Sequence, residues 1–136
     1  MVPKSIRKST EFTARKIAQT MDSIGLDYFT PGDQDFALGE KFLIDISKDY
    51  KFNFLISNSS DKMKIKHKKM GIIKSKDTTF YIIGVTDPTF FQSQIKGLFI
   101  NPVIAIKSKI DFIKSKPGNN KIILVSHSGM DQDQKY

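Results

Sequence analysis

The chain has 136 residues, of which 39% are hydrophobic, so its length suits one domain with a packed core. No apolar run approaches the length of a transmembrane helix, and the lack of cysteine excludes disulfides and thiolate metal sites. The formal net charge of +8 is compatible with an anionic partner. However, the 22 Lys and Arg residues are spread along the whole chain, which favours a lysine-rich surface over a nucleic-acid-binding stripe.

The densest basic cluster covers residues 62–69, where Met, Ile and His alternate with Lys. This alternation predicts one or two exposed strands with one solvated face. No aromatic side chain interrupts the cluster to stack on bases, so nucleic acid is a poor match as a partner. The basic segment 1–8 has no apolar region behind it and does not match a complete secretory signal.

Three segments have the apolar periodicity of amphipathic helices. The first covers residues 9–24, and the second covers residues 39–48. The third begins with Asn101 as the cap and Pro102 at the first helical position, a combination typical of helix starts. Its predicted buried face contains Val103, Ile106, Ile110 and Ile113.

Between these helices lie apolar runs that predict strands over residues 26–30, 52–57 and 121–126. Residues 70–74 and 79–85 predict a β-hairpin that turns at Lys76 and Asp77. The order of helices and strands predicts an α/β fold with a mostly parallel sheet and one β-hairpin. We see no linker or repeat, so residues 1–136 are expected to form a single domain.

Polar side chains follow each of the apolar runs. Asp33 and Asp35 follow the first strand, Asn58 the second, Asp87 the hairpin and His127 the last strand. Parallel neighbours would bring these side chains to one edge of the sheet, where oxygen and imidazole ligands suit a divalent metal ion. Each residue also has an ordinary structural explanation, since Asx-turns, caps and hydrogen-bonded loop histidines are common.

The order of five segments adds weight to the idea of a site. They are residues 24–27 (IGLD), 32–39 (GDQDFALG), 54–58 (FLISN), 81–88 (YIIGVTDP) and 126–129 (SHSG). In this order the chain resembles the calcineurin-like metallophosphoesterases of the 5′-nucleotidase branch, over nearly its whole length. The resemblance implies the middle portion of a metallophosphoesterase-like sandwich. It also implies full-length relatives that hydrolyse phosphate monoesters, often nucleotides, with two divalent metal ions such as Zn, Mn, Fe or Mg.

Individual roles follow from the resemblance position by position. His127 stands at a metal-ligating histidine, and Asp33 at a metal-ligating asparagine. Gln34 replaces the histidine that stabilises the phosphate in the transition state, which removes a proton-transfer group. Asp35 stands where the family has Glu or Asp. Asn58 and the Asp87 of the T-D-P segment occupy supporting positions around the site.

The family motifs "D-x-H", "G-D" and "G-H-x-H" have no match in this chain. Asp33 and His127 alone do not make a two-metal cage, so we expect weak or no phosphatase activity from this chain. The alternative is a non-catalytic binding or assembly module with a basic surface for an anionic partner. Loss of neighbouring strands also predicts self-association through an unpaired sheet edge, with residues 80–85 and 122–125 as candidates. The resemblance also points to a family whose members are commonly exported, but the sequence itself does not indicate a compartment.

Overall fold

The computed structural model describes residues 2–136 and contains five α-helices and six β-strands. The helices are α1 (Arg7–Ser23), α2 (Glu40–Asp49), α3 (Ser93–Lys96), α4 (Pro102–Lys114) and α5 (Met130–Asp133). The strands are β1 (Tyr28–Phe29), β2 (Asn53–Leu55), β3 (His67–Lys68), β4 (Gly71–Ser75), β5 (Thr78–Thr86) and β6 (Asn119–His127). Short 3-10 turns cover Lys4–Ile6, Asp33–Leu38 and Pro88–Phe90. Among residues 2–136, no helix combines the length and apolarity needed to cross a membrane.

The strands form two three-stranded sheets. In the first sheet β1, β2 and β3 are all parallel, whereas in the second β5 pairs antiparallel with β4 and parallel with β6. The predicted α/β class, the predominantly parallel pairing and the hairpin are therefore confirmed.

Each sheet has its own apolar core. The first cluster lies between the first sheet and helices α1 and α2, and includes Phe36, Leu43, Phe54 and Ile56. The second lies between α4 and β5, where alternate β5 residues meet one face of the helix. Its members are Tyr81, Ile83, Val85, Ile106 and Ile113. Alternation along β5 thus turns one face to α4 and the other to the first sheet.

The two sheets approach closely at Gly84 of β5. The Ser57 amide donates to the Gly84 carbonyl at 2.7 Å, and the Gly84 amide donates to Ser57 Oγ at 3.0 Å. A Cβ atom at Gly84 would lie 2.3 Å from Thr30 Oγ1 and 2.6 Å from the Leu55 carbonyl oxygen. The absence of a side chain at this position therefore allows the sheets to touch.

Several sequence-based expectations need correction. The first helix begins at Arg7, two residues before the predicted start, and it follows directly on the 3-10 turn. Val103 is 53% exposed and does not belong to the buried face of α4, whose buried residues are Pro102, Ala105, Ile106 and Ile113. In the basic cluster, only His67–Lys68 form a strand, although Ile65 is buried as the alternation predicts.

The predicted unpaired edge is wrong for one of its two candidates. Residues 80–85 lie in β5, the central strand of its sheet, which pairs with β6 along its whole length and with β4 as far as Ile82; beyond it, Gly84 bonds to Ser57. Residues 122–125 lie in β6, which is an edge strand. The hairpin supplies β5 with its second neighbour, so only the later segment remains at an edge.

Candidate functional site

The ends of two strands deliver the candidate residues to the same place. After β1, the chain passes through Pro31 and Gly32 into the 3-10 turn Asp33–Leu38. In the second sheet, Thr86 at the end of β5 is in register with His127 at the end of β6. Thr86 Oγ1 donates a hydrogen bond to the Pro31 carbonyl at 2.7 Å, which ties these two regions together.

Asp33 and His127 are in direct contact, although they are 94 residues apart in the sequence. The His127 Nε2 atom lies 2.9 Å from Asp33 Oδ1 and 3.3 Å from the Asp33 amide nitrogen. The contact to the carboxylate is a hydrogen bond when Nε2 bears a proton. The side chains of His127 and Asp33 remain 42% and 31% exposed, so solvent or a ligand can reach the pair.

The packing around the imidazole of His127 fixes its position. A Cβ at residue 32 would lie 2.7 Å from both Cε1 and Nδ1 of the ring, so a larger residue there would displace the imidazole. The ring of Phe90 meets the imidazole edge-to-face, with 5.6 Å between centroids. Gly32 and Phe90 therefore hold the histidine toward Asp33.

Gln34 and Asp35 follow Asp33 in the chain, and their side chains make different hydrogen bonds. Gln34 is exposed and its Nε2 donates to Asp33 Oδ2 at 2.9 Å. The Asp35 carboxylate turns back to accept a hydrogen bond from the Gly32 amide at 2.7 Å. Both residues are exposed, and Gln34 contacts the carboxylate of the pair, whereas Asp35 stabilises the turn at Gly32.

The two aspartates have opposite pKa shifts. For Asp33, burial opposes ionisation, but hydrogen bonds from His127 and Gln34 outweigh it and lower the pKa. For Asp35, which is exposed as a residue, local desolvation of the carboxyl group is the largest effect and raises the pKa, despite the hydrogen bond from Gly32. Asp33 is therefore held as a carboxylate beside the histidine.

Asn58 and Asp87 lie next to the pair, but their polar atoms are engaged in the fold. Asn58 is fully buried, and its Nδ2 donates to the carbonyls of Thr86 and Ile100 at 2.8 and 3.0 Å. Its Oδ1 accepts from the Thr86 amide at 3.1 Å. The Asp87 carboxylate accepts from the Thr89 amide at 2.8 Å, which caps the following 3-10 turn. Both residues therefore fix the strand ends that position His127.

A groove of about 430 Å³ opens beside Asp33. This volume lies within the range of small-molecule sites. Its lining combines polar and aromatic groups, and includes Arg7, Asp33, Gln34, Glu40, Phe90 and Phe91. The sequence reasoning missed Arg7 and Phe90. Phe90 could have been found from its place two residues after Pro88 of the T-D-P segment, but no sequence signal indicated Arg7.

The described residues do not fit a two-metal centre by themselves. Within residues 2–136, no group of three or more His, Cys, Asp or Glu side chains is arranged to hold a metal ion. Asp33 and His127 supply two neighbouring donors, and the histidine Nε2 already faces the carboxylate. A protein site for zinc generally uses at least three protein ligands, so this pair falls short of one.

No protein-family model matches the chain, and no curated protein matches it. Solved structures do. A 5′-nucleotidase precursor from Thermus thermophilus superposes with a TM-score of 0.75 at 23% identity, over 89% of this chain and 25% of that one. The NAD nucleotidase of Haemophilus influenzae gives 0.69 at 21% identity, over 87% and 25%. SoxB, a sulfate thiohydrolase of Thermus thermophilus, gives 0.71 at 16% identity, over 88% and 23%.

The chain thus spans about a quarter of the length of these structures, whose identities to it all lie below 25%. At such identities the likeness establishes the fold. The predicted resemblance to part of a calcineurin-like metallophosphoesterase is confirmed at that level. Since nucleotidases and a sulfate thiohydrolase share this fold, the fold alone does not select one reaction.

Proposed function

We propose that this chain is a nucleotidase-like domain whose Asp33–His127 pair faces a phosphate-monoester site, with nucleotides as the substrate class. The observation that carries the proposal is the 2.9 Å contact between these two side chains at the meeting point of the two sheets. Ligands of open α/β sheets bind at such strand ends. The nucleotidases among the structural neighbours support the choice of substrate class.

In this proposal, His127 and Asp33 act as one unit. The Asp33 carboxylate contacts the imidazole at Nε2 and orients it, while Asp33 itself lines the groove. Gln34 is exposed and can donate a hydrogen bond to a phosphate oxygen, but its amide cannot transfer a proton. We therefore assign phosphate binding to Gln34 and assign a positioning role to the pair.

Asp35, Asn58 and Asp87 have supporting roles in the proposal. Asp35 holds the Gly32 amide before Asp33, Asn58 holds Thr86 in register with His127, and Asp87 caps the turn that contains Phe90. Their substitution would change the position of the pair and not the chemistry of a bound phosphate. Asn58 matters most among them because it is fully buried and makes three hydrogen bonds.

The proposal includes divalent metal ions that bind weakly to the pair. Two donors give little affinity, so we expect occupancy by manganese or zinc only at high concentration. Since the described residues do not fit a complete centre, we also propose that residues 1–136, as one domain, turn over phosphate esters weakly or not at all. Replacement of an acid–base histidine by Gln34 would cost roughly 10²–10⁴ in rate on its own.

A titration with manganese tests the pair directly, because the chain contains one other histidine as an internal control. His67 places Nδ1 2.6 Å from the Ile65 carbonyl and Nε2 2.8 Å from Ser59 Oγ, so both nitrogens are engaged. We expect millimolar Mn²⁺ to broaden the NMR signals of His127 and Asp33 before those of His67. Equal broadening of both histidines, or broadening that persists in His127→Ala at the Asp33 amide, would count against the proposal.

A second candidate function is an assembly module without catalysis. It is favoured by one observation, the apolar edge strand β6, whose central side chains are exposed. Under this alternative the chain self-associates through that edge, and its net charge of +8 attracts an anionic partner. The manganese titration separates the two functions, since an assembly module needs no ligand at His127.

A further inference from the structure

A second cavity lies against the 3-10 turn that carries Asp33. It has a volume of about 150 Å³ and lies within the first apolar cluster, between helices α1 and α2 and the first sheet. Its apolar lining includes four phenylalanine rings and a methionine, namely Phe29, Phe42, Phe52, Phe54 and Met21. Cavities of about 150 Å³ with an apolar lining stay free of water and accept one benzene-sized molecule.

The lining favours an aromatic occupant. The ring of Phe29 meets the rings of Phe52 and Phe54 edge-to-face, with centroids 6.2 and 5.5 Å apart. A further ring can make contacts of the same kind, because aromatic pairs prefer edge-to-face or offset geometries at about 4.5–7 Å. The thioether of Met21 also contacts aromatic rings favourably and adapts to their shape. The cavity therefore suits a single aromatic ring.

The polar residues of the cavity offer hydrogen-bond acceptors. They are Thr10, Gln34 and Asp35. Thr10 Oγ1 donates its only proton to the Ile6 carbonyl at 2.9 Å, and Gln34 Nε2 donates to Asp33. The Thr10 oxygen keeps its lone pairs, and the Asp35 carboxylate can accept more than the one backbone hydrogen bond that it makes. A ligand that donates one hydrogen bond therefore matches this end of the cavity.

We propose that the cavity binds a small phenol, with its ring among the phenylalanines and its hydroxyl donating to Asp35. A ligand of about seven heavy atoms is expected to bind with roughly millimolar affinity. Gln34, Ala37 and Leu38 line both this cavity and the groove beside Asp33, so the turn Asp33–Leu38 is a wall shared by the two. Occupancy of the cavity is thereby linked to the candidate site. The link rests on the proposed function, whereas binding of the phenol does not.

The test is an NMR titration of the 136-residue chain with phenol, and with toluene as a probe of equal size that lacks the donor. We expect phenol to shift the amide signals of Ala14 and Asp35, and that of Asp33 through the shared wall. A hydrogen bond to a carboxylate should make phenol bind about fivefold more tightly than toluene. Shifts confined to α4 or spread over exposed residues, an unmoved Asp33 amide, or equal affinity for toluene would each overturn the proposal.

Two substitutions on α1 check the location. Ala14 lines the cavity, so Ala14→Leu fills part of it, whereas the neighbouring Thr13 is exposed and Thr13→Leu is the matched control. We expect phenol to bind at least tenfold more weakly to Ala14→Leu and unchanged to Thr13→Leu, with thermal melting to verify that both variants are folded.

If Ala14→Leu does not fold, the smaller change Ala14→Val takes its place. Undiminished binding in the filled variant would overturn the proposal. Neither probe carries a phosphate and the titration contains no metal ion, so its outcome is independent of the manganese titration that tests the proposed function.

Discussion

Replacement of Gly84 by alanine should separate the two sheets and disturb the site. The new Cβ would meet Thr30 Oγ1 at 2.3 Å, the Leu55 carbonyl oxygen at 2.6 Å and Leu55 Cγ at 2.7 Å. Two of these atoms belong to a fully buried residue, and one of them is backbone, so a small side-chain movement cannot relieve the contacts. The strands must therefore move apart.

The expected cost has two parts. Overpacking of a close-packed core costs about 1–3 kcal/mol. Separation of the sheets also weakens the two hydrogen bonds between Ser57 and Gly84, at 2.7 and 3.0 Å, each worth about 1 kcal/mol. We therefore expect a loss of roughly 3–5 kcal/mol in the free energy of unfolding. Small domains have about 5–15 kcal/mol in total, so this variant is close to unfolding.

Urea unfolding followed by circular dichroism measures this loss. Gly25→Ala is a useful control, since nothing lies within 4 Å of its Cβ, and its φ of +75° costs only about 1–2 kcal/mol. The folded fraction of Gly84→Ala should also show altered NMR shifts at His127, which depends on the same junction. A Gly84→Ala variant as stable as Gly25→Ala would refute the reasoning about the sheet contact.

Three further predictions concern residues around the site and in α4. Asn58→Ala should lower the free energy of unfolding by roughly 3 kcal/mol, because it leaves buried groups of Thr86 and Ile100 without hydrogen-bond partners. Urea unfolding measures this loss, and a value below about 0.5 kcal/mol would contradict the prediction. Asp33 has a lowered pKa, so its stabilising contribution is present above the ordinary value near 3.8 and is lost as pH falls through the folded-state pKa. Asp33→Asn should therefore be less stable than the wild type at neutral pH and equally stable at the acid end of a pH series, and a pH-independent difference would count against the assignment. Asn101→Ala should cost about 1 kcal/mol through loss of the 2.8 Å cap to Val103, whereas Asn101→Asp should retain the stability in thermal melts.

Local sequence signals predicted the elements that depend on local physics. The Asn101–Pro102 start fixed α4 at Pro102, and β-branched runs with a polar turn predicted the hairpin of β4 and β5. Helix α3 was missed because it has four residues and no sustained apolar period. The division into two sheets was also missed, since it depends on the contact of Gly84 with residues 29 and 54 positions away, Leu55 and Thr30.

The same distinction applies to the site. The position of Asp33 and His127 after apolar strands predicted that they would converge, and the structure places them in contact. Asn58 also follows a strand, but its side-chain amide donates hydrogen bonds to the carbonyls of Thr86 and Ile100. No sequence pattern indicated these two contacts. Arg7 and Phe90 line the groove beside Asp33, but both are far from Asp33 in the sequence, so no local pattern indicated that the three residues lie close together.

Turnover and recognition can be measured together by phosphorus NMR on adenosine monophosphate. With stoichiometric chain and millimolar Zn²⁺, we expect the nucleotide phosphorus signal to shift on binding while no inorganic phosphate accumulates. In His127→Ala the shift should be lost, whereas His67→Ala should retain it if the variant stays folded by circular dichroism. Release of phosphate by the wild type at about 1–10³ per second would contradict the proposal of a domain that recognises phosphate esters without hydrolysing them. An unchanged shift in His127→Ala would remove the pair from the site.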